Sequence, residues 1–123
     1  MTPRMLRTTA ALPTETMELE RFSGLDGQGL PAYEDAVEFK ANVVEYDFAA
    51  SRRGREFAVD VDGSRVRTPL NLWIHGTASV VPGEQDRVTR GGGRFVVVEK
   101  RVVQGLRRLA SEPDHYHLRC RRE

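Results

Sequence analysis

Alternation with a period of two is the feature that most constrains this chain. Met17 and Leu19 alternate with Glu18 and Glu20, and Val37, Phe39, Ala41 and Val43 alternate with Glu38, Lys40 and Asn42. The same pattern recurs at Phe57–Asp62, at Leu70–His75 and at His115–Cys120. Successive side chains of a strand point to opposite faces, so each stretch buries one face and wets the other. Phe95–Val98 is a continuous apolar run, read as a strand continuing to about Val103, and a short strand is expected near Val88. Helical spacing is confined to Leu106, Leu109 and Ala110, which suggest one short turn. The expectation is an all-β chain: a small antiparallel β-barrel or sandwich of six or seven strands, with long loops and at most a short helix.

Turn chemistry divides the strands. Glu18 to Phe48 reads as two strands joined through SGLDGQGLP, a stretch with three glycines, an Asp-Gly and a proline. At Val43-Val44 the apolar phase slips, and Tyr46 and Phe48 continue on the other parity, which predicts a β-bulge. Ala49–Glu56 is polar and basic with a glycine, and reads as a loop. Asp62-Gly63 marks a turn, and Pro69 marks an edge strand or a strand start. Arg90–Arg94, RGGGR, leads into a strand rather than a helix, so it reads as a hairpin loop and not as a phosphate cradle.

With 123 residues, 39% hydrophobic, there is room for one core, placed in residues 15–123, with residues 1–14 as a flexible arm, or one that orders only against a partner. Cys120 is the only cysteine, so no intrachain disulfide forms. The longest apolar run, Phe95–Val98, falls far short of the roughly 20 residues a membrane helix needs, and no membrane partner is expected. Net charge is +1, unevenly spread. Residues 15–62 hold twelve Asp/Glu against five Lys/Arg, a balance of −7. Residues 100–123 hold seven Lys/Arg against three acids, a balance of +4. Such segments either cancel side by side on a mixed surface or meet across copies of the chain.

Chemistry is thinly represented. His115, His117 and Cys120 resemble a metal set, but on one strand the two histidines face one way and Cys120 the other, with His75 needed from elsewhere. They read as two exposed histidines and a core cysteine. The serines lack a nucleophile-elbow frame, and no carboxylate pair has an apolar setting. Nine aromatics read as core positions rather than as a stacking platform for single strands. The expectation is a non-enzyme without cofactor or metal that works by contact.

The order of these features resembles the head-to-tail stopper proteins of long-tailed bacteriophages, also called head-closure or head-completion proteins. Gly24, Asp26, Gly29, Pro31 and Tyr33 match the family's turn, and Ala41-Asn42-Val43-Val44 its long strand. Pro82, Gly83, Asp86, Arg87 and Val88 match a later element, followed by GGGRFVVV and the closing DHYHLRC. The similarity spans about residues 15 to 120; the longer middle from Asp60 to Val80 and the bulkier Val102–Pro113 depart from the pattern. The resemblance implies a virion protein of the neck, assembled in the bacterial host cytoplasm. It would form a homo-oligomeric ring between the portal and adaptor on one side and a tail terminator or tail tube on the other. A long loop would plug the lumen against packaged double-stranded DNA. The candidate is Ala49–Glu56, with Ser51, Arg52, Arg53, Gly54, Arg55 and Glu56 facing the DNA, and residues 62–69 as second choice. A tail-terminator or tail-completion subunit, or a small β-barrel binding module for nucleic acid or protein, is the alternative.

Overall fold

The computed structural model describes residues 14–45, 57–59, 63, 65–104 and 114–123. These contain ten strands and no helix. Six close a barrel: β1 (Thr14–Glu20), β4 (Val37–Glu45), β7 (Leu70–His75), β8 (Arg87–Arg90), β9 (Gly93–Val103) and β10 (His115–Arg122). Their order is β1-β4-β7-β10-β9-β8, antiparallel throughout, with β8 returning to β1. Closure leaves these six strands without a free edge. Two hairpins lie outside the barrel: β2 (Phe22–Leu25) with β3 (Pro31–Tyr33), and β5 (Phe57–Val59) with β6 (Arg65–Arg67).

The alternating apolar positions fill the interior. Met17, Leu19, Phe39, Ala41, Leu70, Leu72, Ile74, Val88, Phe95, Val97, Leu118 and Cys120 form one cluster, with Val43 and Tyr116 packed against it. Fully burying a Leu, Ile or Val side chain contributes about 1.5–3 kcal/mol, so this cluster is the main source of stability. Small barrels are filled by their own side chains, and this one follows that rule.

Two expectations need correction. The opening hairpin is not joined by a simple turn: β1 and β4 do pair, but the connection folds into the separate β2–β3 hairpin. The bulge expected at Val43-Val44 is absent, since β4 keeps constant register with β1 and with β7. Val43 packs on the core and Val44 is half-buried on the outside, so the apolar doublet reflects partial cover on both faces. Within the barrel the register shift lies instead between β9 and β10, where Arg119 faces Glu99 but Cys120 faces Val97, leaving Val98 as the extra residue. Phe95 and Val97 point into the core, Val98 is the inserted residue, and Val96, opposite Arg87 and Arg121, is buried on the outer face. Pro69 precedes a strand flanked by β4 and β10, so of the two readings it carried, the strand start holds.

The antiparallel order sets the two ends of the barrel. At one end lie the start of β1, the end of β4, the β8–β9 turn and the end of β10. Arg90 there donates to both oxygens of Glu15 (2.8 and 3.1 Å) and to Glu45 (2.6 Å), while Arg122 donates to Glu45 at 3.2 Å. Arg122 also lies over the Phe95 ring at 5.2 Å. This ionic cap covers the apolar interior where the strands run out. The β8–β9 connection is the two-residue turn Gly91-Gly92, with Gly91 at φ 58°, as the glycine run predicted.

Candidate functional site

At the opposite end the β2–β3 hairpin is tied to the loop before β8. Asp86 is buried, and its Oδ1 accepts from the Phe22 backbone N–H at 2.8 Å. Its Oδ2 accepts from the Gly83 N–H at 2.8 Å and from Arg21 Nη1 at 3.1 Å. Arg21 Nη1 donates further to the Val81 carbonyl at 2.7 Å. Sequence dictates the loop's shape: the Asp86 N–H closes a turn onto the Gly83 carbonyl, with Gln85 at φ 75°. Gln85 and Val97 then exchange the loop with β9 through Gln85 N–H to Val97 O and Val97 N–H to Asp86 O.

Arg87, the next residue, fastens the hairpin from the outside. It donates to both oxygens of Glu20 at 2.7 and 3.1 Å, reaches Glu123 at 3.4 Å, and stacks on the Tyr33 ring at 4.1 Å. The bonded guanidinium holds the Glu20 carboxyl below its ordinary range, against the opposing effect of burial. Burial, then the Glu123 carboxylate, push the Tyr33 phenol up. Tyr33 meets Phe22 edge to face at 6.0 Å. At the hairpin tip, Asp26 Oδ1 accepts from the Gln28 and Leu30 N–H groups at 2.8 and 2.9 Å. This Asx-type turn leaves Leu25 and Leu30 67% and 57% exposed.

A second feature lies on the barrel's outer wall. Asn42, Trp73, His117 and Arg101 stand side by side across β4, β7, β10 and β9. Trp73 and His117 stack at 4.4 Å with their planes 7° apart. Asn71 Nδ2 donates to the Thr68 carbonyl, which leaves its Oδ1 to accept from His117 Nε2 at 2.9 Å. Burial first, then the Arg119 and Arg101 charges, lower the His117 pKa to about 4. The ring is therefore neutral near pH 7.

Several sequence-derived positions move in this light. His115 and His117 are half-buried, not exposed, because strand neighbours cover them. Cys120 is buried in the core and burial pushes its thiol up. Among the described residues no group of three His, Cys, Asp or Glu is placed to hold a metal ion. The aromatics are not all core residues: Phe22, Tyr33 and Trp73 are half-buried outside the barrel. Ser51, Arg52, Arg53, Gly54, Arg55 and Glu56 lie outside the described residues, as do residues 1–13 and the expected helical turn at Leu106–Ala110. Within the second-choice loop, Arg65–Arg67 form β6, and Thr68 and Pro69 are buried, so that stretch is not a free loop.

Sequence reasoning missed the Asp86 anchor and the Trp73–His117 stack. Pro82–Val88 was singled out, yet nothing local reveals that Asp86 takes its partners from Phe22 and Arg21, more than sixty residues away. Trp73 and His117 both fall on outward parity, but only the β7–β10 pairing sets them together. The chain matches no model of a known protein family and no curated protein.

Proposed function

We propose that this protein is a ring-forming subunit of a phage head-tail connector, a stopper that closes the DNA exit after packaging and offers a docking surface to the tail. The observation that carries the reading is the junction of the two segments on which the resemblance rests. The Gly24–Tyr33 turn and the Pro82–Val88 element meet at Asp86 and Arg87, forming one braced unit on a closed barrel. Residues matched by order along the chain are thus partners in space. A wall segment of a ring needs lateral and axial contact surfaces, not a catalytic cleft.

The preformed hairpin tip with exposed Leu25 and Leu30 suits contact with a neighbouring ring. Strand β4 ends at Glu45 on the capped rim, and the sequence that follows carries Arg52, Arg53 and Arg55. Arginine there would meet DNA phosphates without reading sequence. Deletion of the gene from its phage is expected to give heads that fill and then leak DNA; deletion heads that stay sealed would refute the stopper role. Alanine at Arg52, Arg53 and Arg55 is expected to weaken DNA retention in filled heads. Unchanged retention would take the plug assignment away from that loop.

A further inference from the structure

The β1–β4 wall carries Glu18 and Glu38 directly opposite each other, both outward and exposed. Like charges facing across a strand pair are destabilising. Among the described residues neither has an ion-pair partner. Glu34 and Asp35, exposed just before β4, extend the negative field, and Lys40 is the one cation set against it on this wall. Among the described residues Lys40 alone offsets this repulsion.

The barrel carries its counterpart on another wall. Arg101 of β9 is 60% exposed and paired with Glu99 at 3.3 Å, next to the half-buried Arg119 and Arg121 of β10 and the flat Trp73–His117 stack. Tryptophan and arginine are the residue types that most often anchor protein contacts. In the closed order β10 lies three strands from β1 and two from β4. The β10–β9 pair thus lies across the barrel from β1–β4, with β7 and β8 between, and Trp73 on β7 carries the basic wall round towards β4, so the two docking faces are inclined.

We propose that copies of this chain associate head to tail, the Glu18/Glu38 wall of one docking on the Trp73–His117–Arg101 wall of the next. The partner is a second copy because both complementary surfaces are on one chain and neither can reach the other within it. A heterologous contact between inclined faces closes by rotation into a ring. This deepens the ring proposed above by naming its lateral faces.

The test uses the purified full chain and sedimentation velocity in about 50 mM and about 500 mM salt, the range over which exposed charge pairs are progressively screened. Trp73, the only tryptophan, serves as a fluorescence reporter of the basic wall. Self-association is expected in low salt, at least tenfold weaker in high salt, with a Trp73 emission change on dilution. Glu18→Arg/Glu38→Arg and Arg101→Glu/Arg119→Glu should each be monomeric, and an equal mixture of the two should assemble again. Arg101→Glu alone, at a side chain 60% exposed, guards against loss of fold in the double variant and should weaken assembly in the same direction. A wild-type chain that stays monomeric in low salt overturns the proposal. So do variants that assemble like wild type, or a mixture that fails to recover. A chain that seals heads in the phage yet fails here keeps the stopper reading and loses this interface.

Discussion

Asp86 does more for the architecture than its single carboxylate suggests. It accepts two backbone N–H groups and a guanidinium while 5% exposed. Replacing it with alanine leaves the Phe22 and Gly83 donors short of a partner in a dry setting, at about 1–3 kcal/mol for each group left unsatisfied. Asp86→Ala is therefore expected to lower stability by about 2–4 kcal/mol in urea unfolding, and Asp86→Asn, which keeps acceptors for part of the set, by less. His117 makes a different residue-scale prediction. Its folded pKa lies near 4, below the ordinary value of 6.5, so the unfolded chain takes up a proton that the folded chain refuses. Stability from this residue is intact above pH 6.5 and is lost as pH falls towards 4. The Asn71 bond does not enter, because Nε2 donates in both protonation states. The cause is burial against Trp73 with Arg119 and Arg101 nearby, only partly relieved by Glu99. Urea midpoints measured from pH 7 to pH 4 should fall less steeply for His117→Gln than for the wild type. Parallel profiles would mean that other groups set the acid limit.

At the scale of elements, the β2–β3 hairpin behaves as a strap. Its backbone is held by Glu34 N–H to Arg21 O and by the Asp86 bond to Phe22, and its ring Tyr33 by Arg87. Arg87→Ala removes the bidentate pair with Glu20 and the stacking contact together, at a cost of about 1–2 kcal/mol for partly exposed groups. Hydrogen exchange should quicken at Ala32 and Tyr33 in that variant and stay slow at Leu72 and Leu118 in the core. Equal quickening everywhere would show that the strap is integral to the barrel. Here the division between legible and hidden structure is plain. Strands β1, β4, β7 and β10 were visible in the sequence because each has one wet and one buried face, which forces alternation. In the sequence the strap reads as a mere turn, because Phe22–Leu25 and Pro31–Tyr33 are too short to show a period and lie outside the core. The apolar doublet Val43-Val44 mimics a bulge, while the barrel's own bulge at Val98 hides inside a run apolar at every position. The outer stack was hidden for another reason: it depends on which strands pair, and pairing is not local.

For the whole molecule, the question is how a six-strand barrel ends without exposing its interior. At the strap end, loop and hairpin bonds to Asp86 brace the rim. At the other end the inward positions pass from Met17 to Glu15, from Val43 to Glu45, from Val88 to Arg90 and from Cys120 to Arg122, so the cap is written into the strands themselves. Opposite charges converge where like charges would splay the strands apart. The Arg90 hydrogen bond, more than its plain Coulomb attraction, holds the Glu15 carboxyl below the ordinary 4.5. A lowered folded pKa gives stability that is present above the ordinary value and lost as pH falls through the folded one. Arg90→Met should thus cost about 1 kcal/mol at pH 7, the scale of a half-exposed network after solvent screening. The difference from wild type should shrink in high salt and narrow at low pH, as Glu15 is protonated. A penalty that persists unchanged at low pH and in high salt would assign Arg90 to packing over the barrel mouth and not to charge. Because β6 runs through Thr68 and Pro69 into the start of β7 at this same rim, where Leu70 faces Glu45, loosening the cap should be felt at β5–β6 before it is felt at the strap. Amide exchange at Ala58 and Val66, compared with Ala32, decides that order.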